Sequence, residues 1–393
     1  MMEKRFVYAD NAATTKISDR VLAAMMPVLT DEFGNPSSVH SLGRSASRLL
    51  IEARERAAAA VGGEPSGVYF TSGGTESDNW AVRGAAELGE NDGRRHIITT
   101  AIEHHAVLRP CELLEKRGFE VTYLAPDEYG LITPQQVERA IRPDTCLVSV
   151  MTANNEIGTI QPVAEIGAVC RERGVLFHTD AVQAVGHIPV DVRDMNIDLL
   201  SLSGHKIHAP KGVGLLYVKN GVKLPAFILG GDQQRGRRAG TENLPGIVGL
   251  GQALADCTAD ISGRNERLTS LRNELAEGLL KIPQTLLNGH PALRLAGNVN
   301  ISIAGIEGES LLLKLETMGI YASSGAACAS GSLEPSHVLT AIGMPEQFSR
   351  GSLRLTLGDD ATREDIRYII ESVTSAVAQI RAVSPLWARL SSE

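Results

Sequence analysis

Six short runs rich in β-branched and aromatic residues, each followed by a stretch of helical spacing, fill the chain between Asn11 and about Gly251. They are residues 67–71, 95–100, 119–124, 145–150, 174–178 and 198–202. Neighbouring antiparallel strands need only a tight turn, whereas parallel strands need a crossover of a dozen or more residues, usually a helix. The alternation therefore predicts βαβ units and an α/β fold with a mostly parallel sheet covered on both faces. In such sheets ligands bind beyond the carboxyl ends of the strands. Ser72-Gly73-Gly74-Thr75, His104, Asn155, Asp180 and Lys206 each follow one of these runs.

The texture then changes. A long helical pattern covers residues 245–281, and after it come a strand pattern at 298–303, a helix near 310–318, a small-residue loop around Cys328, a strand at 352–357 and a helix from Thr362. This predicts a second, smaller α+β domain. The turn-rich N-terminal segment, residues 8–15, can return to either domain.

Composition narrows the function classes. With 393 residues, 43% hydrophobic and 21% charged, the chain has the make-up of a soluble globular protein. The net charge of −8 and the lack of any basic stretch beyond 235–238 argue against a nucleic-acid partner. No apolar run approaches the ~18 residues of a membrane span, and residues 1–8 lack a signal-peptide core, so a cytoplasmic protein is expected. Five cysteines without a CxxC pair argue against a disulfide framework and a zinc knuckle.

Several of these residues carry chemistry. Gly73-Gly74 sits where a strand meets a helix, and the converging N–H groups there favour an anion such as phosphate; a tight turn with a Thr N-cap fits equally well. Asp180 closes a buried strand, where a lone carboxylate is costly without a cation such as a protonated pyridine nitrogen; a strand-end Asp bonded to loop amides or paired with an arginine fits as well. Lys206 ends an apolar run, and a partly buried amine suits a Schiff base, although a solvent-facing lysine is the commoner case. His104-His105 and His205 with His208 lack the spacing of metal ligands. Cys111, Cys146, Cys170 and Cys257 fall within apolar patterns, whereas Cys328 stands among small polar residues that leave a thiol accessible. Arg354, alternating with apolar neighbours, offers either a carboxylate fork or an ordinary surface charge.

Together, Tyr8-Ala-Asp-Asn-Ala-Ala-Thr-Thr15, Thr71-Ser-Gly-Gly-Thr-Glu-Ser-Asp-Asn79, Glu103-His-His105, Asn154-Asn-Glu-Ile-Gly158, His178-Thr-Asp-Ala-Val-Gln183, Ser201-Leu-Ser-Gly-His-Lys206, Arg238-Ala-Gly-Thr-Glu-Asn243 and Ala322-Ser-Ser-Gly-Ala-Ala-Cys-Ala-Ser-Gly331 resemble the pyridoxal-phosphate cysteine desulfurases of the NifS/IscS type. The resemblance implies the class-V aminotransferase-like fold type I, with a seven-stranded, mostly parallel sheet in a large domain. The division expected is a large cofactor domain at 15–260 and a small domain built from 1–14 and 261–393, which carries the Cys328 loop.

The same resemblance implies a set of roles. Lys206 would hold pyridoxal 5'-phosphate as a Schiff base, Asp180 would meet the pyridine nitrogen, Gln183 the phenolic oxygen and His104 the ring face. Gly74, Thr75, Ser203 and His205 would hold the phosphate, with Thr241 reaching across from the other subunit of a homodimer. Asn155, beside the cofactor, and Arg354 would receive the substrate carboxylate. Lys206, His104 and Cys328 form the expected catalytic set. L-cysteine would become L-alanine while its sulfur passes to a Cys328 persulfide and on to an iron–sulfur scaffold protein, with any transient iron–sulfur contact made at Cys328. The alternatives are an aminotransferase or selenocysteine lyase using the same cofactor, or a non-enzymatic iron–sulfur carrier.

Overall fold

A computed structural model describes residues 5–324 and 335–390 of the chain. Twelve strands occur among them: β1 (Val7–Tyr8), β2 (Val68–Thr71), β3 (His96–Thr100), β4 (Glu120–Leu124), β5 (Thr145–Ser149), β6 (Leu176–Asp180), β7 (Leu199–Ser203), β8 (Gly214–Val218), β9 (Thr285–Leu287), β10 (Asn298–Ile303), β11 (Ile320–Tyr321) and β12 (Ser352–Thr356). Seven of them form one sheet in the order β2-β8-β7-β6-β5-β3-β4. Only β8 runs against its neighbours. All six predicted runs are strands of this sheet, and the seven-stranded, mostly parallel expectation of fold type I is met.

The strand missing from the sequence reading is β8. It returns from β7 through a one-turn 3-10 helix (Gly204–Lys206) and a glycine-rich loop, so no helical spacing precedes it. Two helices before the first strand of the sheet also escaped the alternation argument: α1 (Asp19–Thr30) and α2 (Ser41–Ala60). The helical pattern at 245–281 proves to be two helices, Leu244–Thr258 and Ile261–Leu279. Asp260 breaks it, because its carboxylate accepts the Gly263 amide at 2.9 Å and caps the second helix.

Every residue of β5 and β7 is buried, as a strand covered on both faces requires. One apolar cluster, with Phe70, Val148, Phe177, Leu200 and Leu215, fills one side of the sheet. A second, with Trp80, Ile97, Leu147, Leu199 and Leu216, fills the other, beneath α3 (Gly74–Asn91) and α4 (His105–Glu115). A separate cluster joins β10 and β12 to the helices Ile261–Leu279, Gly308–Thr317 and Arg363–Arg381, and it takes in Val7 and Ala9. The N-terminal segment thus begins beside β11, where β1 pairs with it in parallel. It then crosses to the large sheet, where the Thr15 amide donates to the His205 carbonyl at 2.8 Å. Among the described residues no helix is long and apolar enough to cross a membrane.

Candidate active site

A cavity of about 390 Å³ opens at the carboxyl ends of β6 and β7, where parallel sheets bind ligands. Gly74, Thr75, His104, Asn155, Asp180, Gln183, Ser203, His205, Lys206 and Arg354 all line it. Of the residues expected at the site, Thr241 alone among the described ones does not line it; its side chain is exposed. Cys328 lies outside the described residues.

The lysine is held from the N-terminal segment. Its Nζ donates to the Ala12 and Ala13 carbonyls at 2.5 and 2.7 Å, and Gln183 Nε2 donates to the same Ala12 carbonyl at 3.0 Å. Segment 12–15 also meets His205, whose Nδ1 is 3.1 Å from Thr14 Oγ1. Burial and the nearby Lys206 and Lys211 push that imidazole down to about 4, so it is neutral near pH 7.

Opposite the lysine, α3 begins directly after β2. Gly73 is its N-cap and brings no side-chain hydrogen bond, so the predicted Thr cap is absent and the first-turn amides stay available to an anion. A Cβ on Gly74 would lie 2.7 Å from Val182 Cγ2, which explains why only glycine fits where the helix start presses on the loop after β6. His104 caps α4, its Nδ1 accepting the Ala106 amide at 3.1 Å.

Arg354 on β12 is 1% exposed, which removes its reading as a surface charge. Its Nη2 donates to Asp10 Oδ1 at 2.9 Å and its Nη1 to the Asn155 carbonyl at 3.0 Å, while Nε is buried with no partner among the described residues. Asp10 fixes the guanidinium at the cavity wall. The pairing joins residues 344 apart in sequence, so no local signal could have shown it.

Asp180, anticipated as a buried strand-end carboxylate, is joined by three buried acids that sequence reasoning missed. Asp180 is 5% exposed, and its Oδ1 accepts the Val182 amide at 2.9 Å. Burial raises it above the usual carboxylate range, while His104, that amide and Lys206 pull it back. Asp78, Glu103 and Glu156 are each at most 3% exposed. Burial lifts Glu103 to about 8 against the Met151 amide and Thr100 hydroxyl that hold it down, and lifts Glu156 to about 7 against Ser336, Arg354 and His104. The Ser336 hydroxyl donates to Glu156 Oε2 at 2.5 Å. One nitrogen of His104 and one oxygen each of Asp78 and Asp180 lie within 4.8 Å of one another. The two carboxylates that gather beside His104 thus come from α3 and β6.

Glu103 carries a pH signature. Its folded value, about 8, stands above its ordinary 4.5, so the folded state holds a proton the unfolded chain has released between those values. Stability associated with this group is complete below pH 4.5 and is lost as pH rises through about 8. Glu103→Gln should remove that dependence. Denaturant unfolding at pH 5.5 and 7.5 should show the variant gaining on the wild type by up to ~1.4 kcal/mol per pH unit. A difference that does not change with pH would mean that Glu103 is ionised throughout.

The sequence pattern of the family described as aminotransferase class-V matches residues 7–369. The chain belongs to this family. It is 56% identical over 384 residues to a "Cysteine desulfurase IscS" of Methanosarcina thermophila, covering 98% of this chain and 95% of that one. A solved "NifS-like protein" superposes with a TM-score of 0.90 at 37% identity, covering 95% of this chain and all of that one. A second structure, "SspA in complex with cysteine", gives a TM-score of 0.79 at 39% identity over 89% of this chain and 98% of that one.

The cofactor of this class-V enzyme is pyridoxal phosphate. The cavity fits it. Uncapped helix amides with the Thr75 and Ser203 hydroxyls suit a phosphate, a buried carboxylate with no arginine bonded to it suits a protonated ring nitrogen, and an amine faces them both.

Proposed function

We propose that this chain is a cysteine desulfurase in which Lys206, Asp180 and Arg354 serve one reaction and Cys328 receives its product sulfur. The observation that carries the reading is the convergence of the Lys206 amine, the Asp180 carboxylate and the Arg354 guanidinium on one cavity. Bound pyridoxal phosphate supplies an electron-withdrawing ring that stabilises negative charge at the substrate α-carbon. Lys206 attaches the cofactor and, once displaced by substrate, moves the proton at that carbon. Asp180 keeps the ring nitrogen protonated, Gln183 bonds the phenolic oxygen and His104 covers the ring face. Gly74, Thr75, Ser203 and His205 hold the phosphate.

Asn155 and Arg354 receive the carboxylate of L-cysteine, and a fork already fixed by Asp10 loses little freedom when it does so. The Cys328 thiolate then takes the sulfur. L-cysteine and the Cys328 thiol become L-alanine and a Cys328 persulfide, so atoms and electrons balance. The described residues flanking this cysteine both adjoin the site: the Ser323 amide donates to the Arg354 carbonyl at 3.2 Å, and His337 lines the cavity.

The persulfide passes its sulfur to a thiol of an iron–sulfur scaffold protein in the cytoplasm, and the protein works as a homodimer. Large exposed apolar side chains on and near α1 and α2, among them Met26, Leu29, Phe33 and Val39, support the dimer. Leu229 is exposed as well, in the stretch where Ile228 bridges Arg238, three residues before Thr241. Thr241, outside its own cavity, is free to complete the partner's phosphate site. The two-domain division at 15–260 and 1–14 with 261–393 belongs to the same reading, supported by the separate apolar cluster that joins Val7 to the C-terminal helices.

Mass spectrometry of the cofactor-loaded protein after incubation with L-cysteine tests the function. The expected result is one added sulfur, confined to the peptide holding Cys328 and removed by dithiothreitol. Alanine formation without that adduct would favour a lyase that releases its product directly.

A further inference from the structure

Asp78 has no part in the roles assigned above, yet it lines the cavity. It stands four residues after Gly74 on α3, hence on the helix face that meets the site. The side chain is 1% exposed and its Oδ1 makes no hydrogen bond among the described residues. Asp180 and His178 approach it from β6, Ser201 from β7, and Glu103 and His104 from the segment between β3 and α4. His178 lies 3.6 Å away but brings no charge: burial pushes it down to about 3. Ser149 Oγ and Ser201 Oγ occupy its two ring nitrogens at 2.8 and 3.0 Å.

Two buried carboxyls this close do not ionise together without matching cations. Asp180 has the better claim to the negative charge, since His104, the Val182 amide and Lys206 all favour its ionised form, whereas Asp78 has only the Ser201 hydroxyl. Burial and the charge of Asp180 both push Asp78 well above the ordinary carboxylate range.

We propose that Asp78 is a positioning residue, an uncharged carboxylic acid packed against Asp180 that holds it in place and leaves it the negative charge meant for the ring nitrogen. The proposal rests on the reading of Asp180 as the partner of that nitrogen. One cationic ring is then met by one anion, although Asp78 and Asp180 both line the cavity and Glu103 lies buried near Asp78.

The test is calorimetric titration of pyridoxal phosphate into the cofactor-free full-length protein, in two buffers of different ionisation enthalpy. It yields both Kd and the number of protons exchanged. Asp78→Asn imitates a neutral carboxyl and should keep Kd within about twofold and the proton count unchanged. Asp78→Ala removes the support and should weaken binding on the order of tenfold with the same proton count. If Asp78→Asn weakens binding as much as Asp78→Ala and alters the proton count, Asp78 carries charge and the proposal fails; it fails also if both variants bind like the wild type. Should the alanine variant not fold, the asparagine variant decides by the same two readouts. Asp180→Asn separates the underlying reading: unchanged Kd and proton count there would refute Asp180 as the nitrogen's partner, whatever Asp78 does.

Discussion

Lys206→Ala should lower L-cysteine turnover by at least about four orders of magnitude while the protein stays folded. The size follows from the number of roles meeting at one atom. In the proposed mechanism Nζ is the covalent anchor of the cofactor, and among the described residues it is the only lysine amine lining the cavity, so no other described lysine can carry the α-proton. Stability should change far less. The variant takes the Lys206 donor from the Ala13 carbonyl, while the Ala12 carbonyl keeps Gln183 Nε2, a loss of about 1–3 kcal/mol for a partly buried group. Pyridoxal phosphate should still bind through the phosphate donors and Asp180, but borohydride should no longer fix it to the protein. A variant that kept a reducible attachment, or turned over within tenfold of wild type, would place the reacting amine elsewhere.

That expectation comes from residues the sequence displays openly, and their legibility has a physical cause. A parallel sheet puts its ligand at one edge, so residues just past each apolar run are brought together whatever the intervening helices contain. Asp180, Ser203 and Lys206 could be placed from the order of the runs alone. The segment at residues 9–15 could not, because its partners are fixed by tertiary contact. Asp10 bonds Arg354 and Ala12 bonds Lys206, across 344 and 194 positions. The acids beneath the site were hidden for a related reason. Asp78 and Glu103 stand in polar motifs that resemble helix starts and turns, and only packing shows them buried with unpartnered oxygens. Strand β8 was invisible because a ten-residue return through a 3-10 turn leaves no crossover helix to announce it.

The four described cysteines make the last prediction sharp. Cys111, Cys146, Cys170 and Cys257 are free thiols, and all are buried. Burial raises each of them, Cys146 to about 11 and Cys170 and Cys257 to about 12. At neutral pH their thiolate fraction is therefore about one part in ten thousand or less, and nucleophilic attack on a sulfur atom needs the thiolate. None of the four lines the cavity. Cys328→Ala should accordingly reduce L-cysteine-dependent sulfide release, measured with dithiothreitol as acceptor, by more than about a hundredfold, since in the proposed mechanism the substitution removes the attacking group rather than mistuning it. Binding should survive. The shift of the cofactor's visible absorbance on adding L-cysteine depends, in the proposed mechanism, on Lys206 and Asp180, and it should persist at near wild-type substrate concentration. Replacing any of the other four cysteines by alanine should leave sulfide release within about twofold, at a packing cost in stability only. Sulfide release at wild-type rate from Cys328→Ala would mean that the enzyme discharges sulfur without a protein thiol, and the lyase reading would replace the transferase.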